Sequence, residues 1–167
     1  MADLTAKMLL KILISYSIDR DLTTTEHPIY LERGITLTDG TGANKGDACF
    51  DDTRTLADGA NETLDFGDGT LTDSLGTAFT LDILRGLYIK NNSTDSGLLI
   101  GGAAATQLGL FSAVNDILLL PPGGEFFFTA PNATGLDTTT NNSLKIEHDA
   151  AGAAAALTYD IIVVGED

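Results

Sequence analysis

Cys49, His27 and His148 are the whole thiol and imidazole complement of the sequence, so a tetrahedral metal site or a thiol–imidazole nucleophile would have to be built from them. None stands at a ligand spacing from another, and no Gly-x-Ser-x-Gly segment is present to raise a serine on a strand-to-helix turn. Carboxylates are more plentiful. Asp39, Asp47, Asp51 and Asp52, and separately Asp65, Asp68 and Asp73, crowd into loop-like stretches where hard oxygen ligands for calcium could converge. Neither group has EF-hand spacing, so both read as solvated loop acids, and no metal or other cofactor is expected. Residues 38–47 (TDGTGANKGD) invite comparison with phosphate-binding loops. They fail it: Lys45 precedes Gly46 and Asp47 instead of Ser or Thr, and Gly40, Gly42 and Gly46 miss the dinucleotide spacing. Tyr30, Tyr88 and Tyr159 could offer an aromatic face to a sugar, but in strand-like segments tyrosines serve more often as core or cross-strand partners. With no catalytic constellation in view, the expectation is a protein that is not an enzyme.

The elements that would carry these residues are strands. Residues 116–129 (DILLLPPGGEFFFT) set two solid apolar runs about Pro-Pro-Gly-Gly, where Pro122 presets φ and Gly123 accepts a positive φ, as a type II turn requires. The reading is a central hairpin, covered on both faces, around which the rest packs. At the N-terminus, Leu4, Met8, Ile12 and Tyr16 recur at helical spacing while Leu10, Ile12, Ile14, Tyr16 and Ile18 alternate as on a strand. The β character of the far end tips the reading toward a strand, with Lys7 and Lys11 on one face either way. Residues 19–27 read as a connection and Pro28 as the opening of a strand over 29–37. Further strands are expected at 48–56, 62–66, 77–91 (bulged at Gly86), 97–100, 143–148 and 153–164, about nine in all. The fold class this predicts is all-β, a jelly-roll-like β-sandwich over residues 28–167, with an N-terminal arm or extra strand over residues 1–27.

Length and composition agree with that class. The 167 residues suffice for one domain with its own core, and 43% apolar side chains with eighteen glycines and four prolines suit short strands between turns. Nine basic against twenty-four acidic side chains give a net charge of −15, which repels nucleic acid and anionic membranes, so neither is expected as a partner. No uninterrupted apolar run approaches the ~18 residues of a membrane span, and Lys11 interrupts the one run that resembles a signal peptide. A single cysteine fits assembly in a reducing cytoplasm. Charge is uneven: residues 1–54 hold six basic and nine acidic groups, the remainder three and fifteen.

Several of these segments, taken in order, carry a resemblance. LTDGTGANKGD (37–47), DTRTL (52–56), LTDSLGTAFT (71–80), LYIKN (87–91), the PGG and its following aromatic (122–126) and TYDIIVVG (158–165) make the chain similar to small virion structural proteins of tailed bacteriophages. The segment before residue 28 departs most from that pattern. The resemblance implies a non-enzymatic capsid decoration or cement protein. Such a protein would bind the major capsid protein across capsomers and itself as a homo-oligomer, located on the virion and assembled in the host cytoplasm. It carries over no catalytic residue. A neck, tail or baseplate component is the alternative within structural proteins, and a carbohydrate-binding module the alternative outside them. Lys7, Lys11, Arg20, Arg33, Lys45 and Arg54 are the candidate capsid-docking residues, because the basic side chains lean toward the N-terminal third.

Overall fold

Alternating apolar and polar residues become paired strands from one end of the chain to the other. The computed structural model describes residues 3–103, 106–150 and 155–167, and among these it has thirteen strands and no α-helix. In order they are β1 (Thr5–Asp19), β2 (Thr24–Thr38), β3 (Ala48–Leu56), β4 (Asn61–Asp65), β5 (Leu71–Thr72), β6 (Ala78–Phe79) and β7 (Ile83–Asn91). Then follow β8 (Leu98–Gly101), β9 (Ile117–Leu120), β10 (Glu125–Thr129), β11 (Leu136–Asp137), β12 (Ser143–His148) and β13 (Leu157–Glu166). Three of these are two-residue pieces, so the expected nine lie close to the longer elements. The closing strand was expected from Ala153, a start that falls outside the described residues.

Two antiparallel sheets face each other. One has the order β10-β7-β13-β3, with β11 also on β7, and the other β4-β12-β8-β9. The chain crosses between them after β3, after β4 by way of β5 and β6, and after β7, β9, β11 and β12, so the fold is the β-sandwich expected, and no sheet closes into a barrel. Between the sheets Leu87, Ile89, Tyr159, Ile161 and Val163 meet Leu64, Leu98, Ile100, Leu144 and Ile146, all essentially inaccessible to solvent. Burying a side chain of this size stabilises the fold by about 1.5 to 3 kcal/mol each, before ordering costs. Phe50 and Phe66 bracket Phe79 at centroid distances of 5.6 and 6.2 Å, closing one end.

The segment read as the central hairpin is not one. Its turn forms as expected: Gly123 has φ 69°, and the Gly124 amide donates to the Pro121 carbonyl at 2.8 Å. But β9 pairs with β8 in one sheet and β10 with β7 in the other, so the turn hands the chain across the sandwich. Both strands lie at edges, and each has one face outside. Leu119 is 53% exposed and Phe127 38%. The stability core belongs instead to β7, β13, β8 and β12. Another expectation is modified at residues 77–91, where the single long strand is split: β6 ends at Phe79, and residues 80–82 turn before β7 begins. The bulge expected at Gly86 falls one residue away. Val164 pairs with Gly86 but Gly165 with Leu84, which leaves Arg85 as the extra residue.

The N-terminal segment is a strand, as the alternation suggested, but not a free arm. β1 and β2 pair over fifteen rungs from Thr5↔Thr38 to Asp19↔Thr24 and with no other strand among the described residues. The connection expected over 19–27 shrinks to a tight turn at 20–23, and β1, within the expected arm or extra strand, pairs with β2, which runs to Thr38.

Candidate binding surface

Opposed residues on an antiparallel ladder point to the same side, so the ribbon register sorts the two faces. One carries Ala6, Met8, Leu10, Ile12, Ile14, Tyr16 and Ile18 opposite Leu37, Ile35, Arg33, Leu31, Ile29, His27 and Thr25. The other carries Lys7, Lys11, Ser15, Ser17 and Asp19 with Glu32, Pro28, Glu26 and Thr24, relieved by Leu9, Leu13 and Tyr30. The ribbon is thus amphipathic. On its polar face the Lys11 ammonium sits 5.6 Å from the centre of the Tyr30 ring, and the Tyr30 hydroxyl donates to Glu32.

At its base the apolar face is covered by the protein's own body. Leu37 is fully buried, and Met8 lies where any side chain at residue 86 would stand, which is why β7 has glycine at that point. The loop after β2 fixes this junction. Thr38 donates to the Asn44 carbonyl at 3.1 Å, Gly46 to Thr38 at 3.0 Å, Asp47 to Gly165 at 2.9 Å and Asn44 to Pro131 at 2.8 Å. Gly42 donates to Glu166 at 2.8 Å, and Glu166 in turn accepts from the wholly buried Arg85 (Nε at 3.0 Å). Arg85 also donates to the carbonyls of Asn132 and Ala133. The glycine-rich stretch is a clasp between the ribbon and the end of β13.

Beyond the base the cover stops. Leu10, Ile12, Ile14, Tyr16, Ile18 and Ile29 keep between 38% and 68% of their surface exposed. The sandwich contributes to the same surface, since Tyr88, Phe127, Ile162 and Val164 on the outer face of the β10-β7-β13-β3 sheet line a groove with Ala6, Met8 and Leu10. Its volume is about 440 Å³. A second, acidic cleft of about 720 Å³ gathers Asp3, Asp39, Asp47, Asp73 and Asp167 near Cys49.

The candidate docking cations are divided among these features. Lys7 and Lys11 share the polar ribbon face, Arg33 stands on the apolar one and Arg20 in the tip turn. Lys45 bridges the ribbon base at Thr38. Arg54 is engaged elsewhere: its Nε donates to Glu62 at 2.7 Å and its Nη1 to Asp52 at 2.7 Å, while the Tyr159 hydroxyl donates to the other Glu62 oxygen at 3.0 Å. This group joins the edges of the two sheets. The Glu62 bond holds the Arg54 guanidinium above its ordinary range, and burial does the same to the Tyr159 phenol.

The calcium candidates cap their own turns. Asp65 accepts from Gly67 at 2.9 Å, Asp68 from Thr70 at 2.9 Å, and Asp73 from Leu75 and Thr77 at 2.9 and 2.7 Å, as side chains in Asx-turns do. Asp39 accepts from Leu4 and Asp47 from Asp167, and Asp51 accepts from Ser74. Among the described residues no group of three or more His, Cys, Asp or Glu side chains is arranged to hold a metal ion. His148 is buried, with Nδ1 3.1 Å from the Ala57 carbonyl, and His27 lies on the ribbon. The tyrosines do not share a patch: Tyr159 is in the core, Tyr88 on the outer sheet face and Tyr30 on the polar ribbon face. No family model matches this chain, and no curated sequence or solved structure matches it either.

Proposed function

We propose that this protein is a non-enzymatic assembly subunit of a virus particle, a capsid decoration protein of the kind its sequence resembles. The observation that carries this reading is the ribbon: fifteen rungs long, anchored at one end and apolar on a face that its own body leaves open. Two strands alone are marginal in water, so surface of this kind marks a place where another macromolecule binds. A rigid body with a preformed arm loses little freedom on docking, and many copies on a symmetric shell would stabilise it by mass action. Lys7 and Lys11, on the outward polar face, are the ribbon's cations best placed for acids on a shell.

The test is cosedimentation of the full chain with virus heads that lack it, together with the heat stability of those heads. Saturable binding that raises the temperature of head disruption is expected, with weaker binding for Lys7→Glu combined with Lys11→Glu. Heads that neither bind the wild-type chain nor gain stability would overturn the reading.

A further inference from the structure

The apolar ribbon face needs a partner that is itself apolar, uncharged over about the same length and shaped to lie along a twisted two-stranded surface. Its own charge is informative. Residues 5–38 hold four basic groups (Lys7, Lys11, Arg20, Arg33) and four acidic ones (Asp19, Asp21, Glu26, Glu32), so the ribbon is neutral, and the net charge of −15 lies entirely on the rest of the chain. A strongly charged partner would find nothing on this face to pair with except Arg33. An identical ribbon face meets these requirements everywhere but at Arg33, whose long stem lets its charge reach the rim of the contact, because a two-fold contact joins a patch to itself. The size also fits. Six side chains exposed by 38% to 68% offer on the order of 600 Å² per chain, and so about 1,200 Å² for two, the lower bound of a specific protein interface.

We propose that two copies of this chain associate through the apolar faces of their ribbons, laid antiparallel, so that each tip rests in the groove at the base of the other. Direction follows from charge. Parallel ribbons would bring two bodies of −15 side by side, whereas antiparallel ribbons set them at opposite ends of strands about 50 Å long, several times the screening length of about 8 Å at physiological salt. The groove supplies the reason for a tip to go there. Tyr88, Phe127 and Ile162 continue the apolar surface past Met8 and Leu10, so Tyr16 and Ile18 of one copy cover apolar side chains of the other. The two polar faces, with Lys11, then point outward on opposite sides of the pair, while Lys7 and Glu125 line the groove beside the seated tip. This inference does not depend on the virion reading: in the pair the apolar faces cover each other, and a shell would meet the outward polar faces.

Sedimentation equilibrium of the full chain at micromolar concentration should give twice the chain mass of 17.5 kDa. Ile14→Asp combined with Tyr16→Asp should give a single-chain mass while the thermal unfolding of the sandwich stays in place. Lys11→Ser combined with Ser15→Asp, on the polar face, should leave the dimer intact. For direction, in a Cys49→Ser background, Ile12→Cys lies near the two-fold axis and should form an interchain disulfide on mild oxidation, whereas Ile18→Cys should not. A wild-type monomer would overturn the proposal. So would a dimer indifferent to the Ile14 and Tyr16 changes, ready Ile18→Cys cross-linking, or a monomer that floats with neutral phosphatidylcholine vesicles through its ribbon.

Discussion

Arg85 is completely enclosed, and Glu166 answers its charge. Removing one partner of a buried pair leaves the other charge without compensation, so Arg85→Met is expected to cost about 3 to 5 kcal/mol. The combined change Arg85→Met with Glu166→Gln should recover part of it; denaturant unfolding of the three proteins decides. Nothing in the sequence marked Arg85, because a lone arginine in a strand reads as a surface residue. The signal was indirect, in Gly86 and the bulge it suggested. Cys49 is simpler. Burial raises its thiol pKa, and the charges of Asp51 and Asp73 add to the effect, so little thiolate exists near neutrality. Alkylation at pH 8 should be slower than for a free thiol and should accelerate sharply on unfolding.

Elements show where reading a sequence by local rules succeeds and where it stops. The turn at 121–124 was legible because proline and glycine preferences are local. The sheet that each flanking strand joins was not: ILLL and EFFFT suit either, and the choice depends on residues far away in the chain. The energetic consequence is measurable. Ile161 on β13 is fully buried, and Ile161→Ala is expected to cost about 2 to 5 kcal/mol, whereas Phe127→Ala at the exposed edge should cost about 1 kcal/mol. Equal shifts in the urea midpoint would contradict this placement of the core. The ribbon was half legible. Alternation from Leu10 to Ile18 gave the strand and put the lysines together. That its apolar face would go uncovered depended on where β2 turned back and which side met Gly86. Replacing residues 12–29 by a Gly-Gly turn should therefore leave the melting temperature of the sandwich within a few degrees of wild type.

For the molecule as a whole, the acidic cleft is the feature that spacing could least foresee. Asp39 and Asp47 come from one expected cluster and Asp73 from the other, and the fold lines one cleft with all three. Asp39, Asp47 and Asp73 nonetheless accept hydrogen bonds from the backbone, so excess chelator is expected to leave the melting temperature unchanged; a fall reversed by calcium but not magnesium would contradict that. The order of strands in the larger sheet has a different kind of consequence. β13 is made well after β7 and β3 and yet sits between them, joined to both. On the ribosome, β3 and β7 must wait with open edges until residue 166 has cleared the exit tunnel, exposed to pairing with strangers. Synthesis thus carries an aggregation risk that lasts until β13 is made, and a message truncated shortly before residue 157 would yield not a weakened protein but an insoluble one.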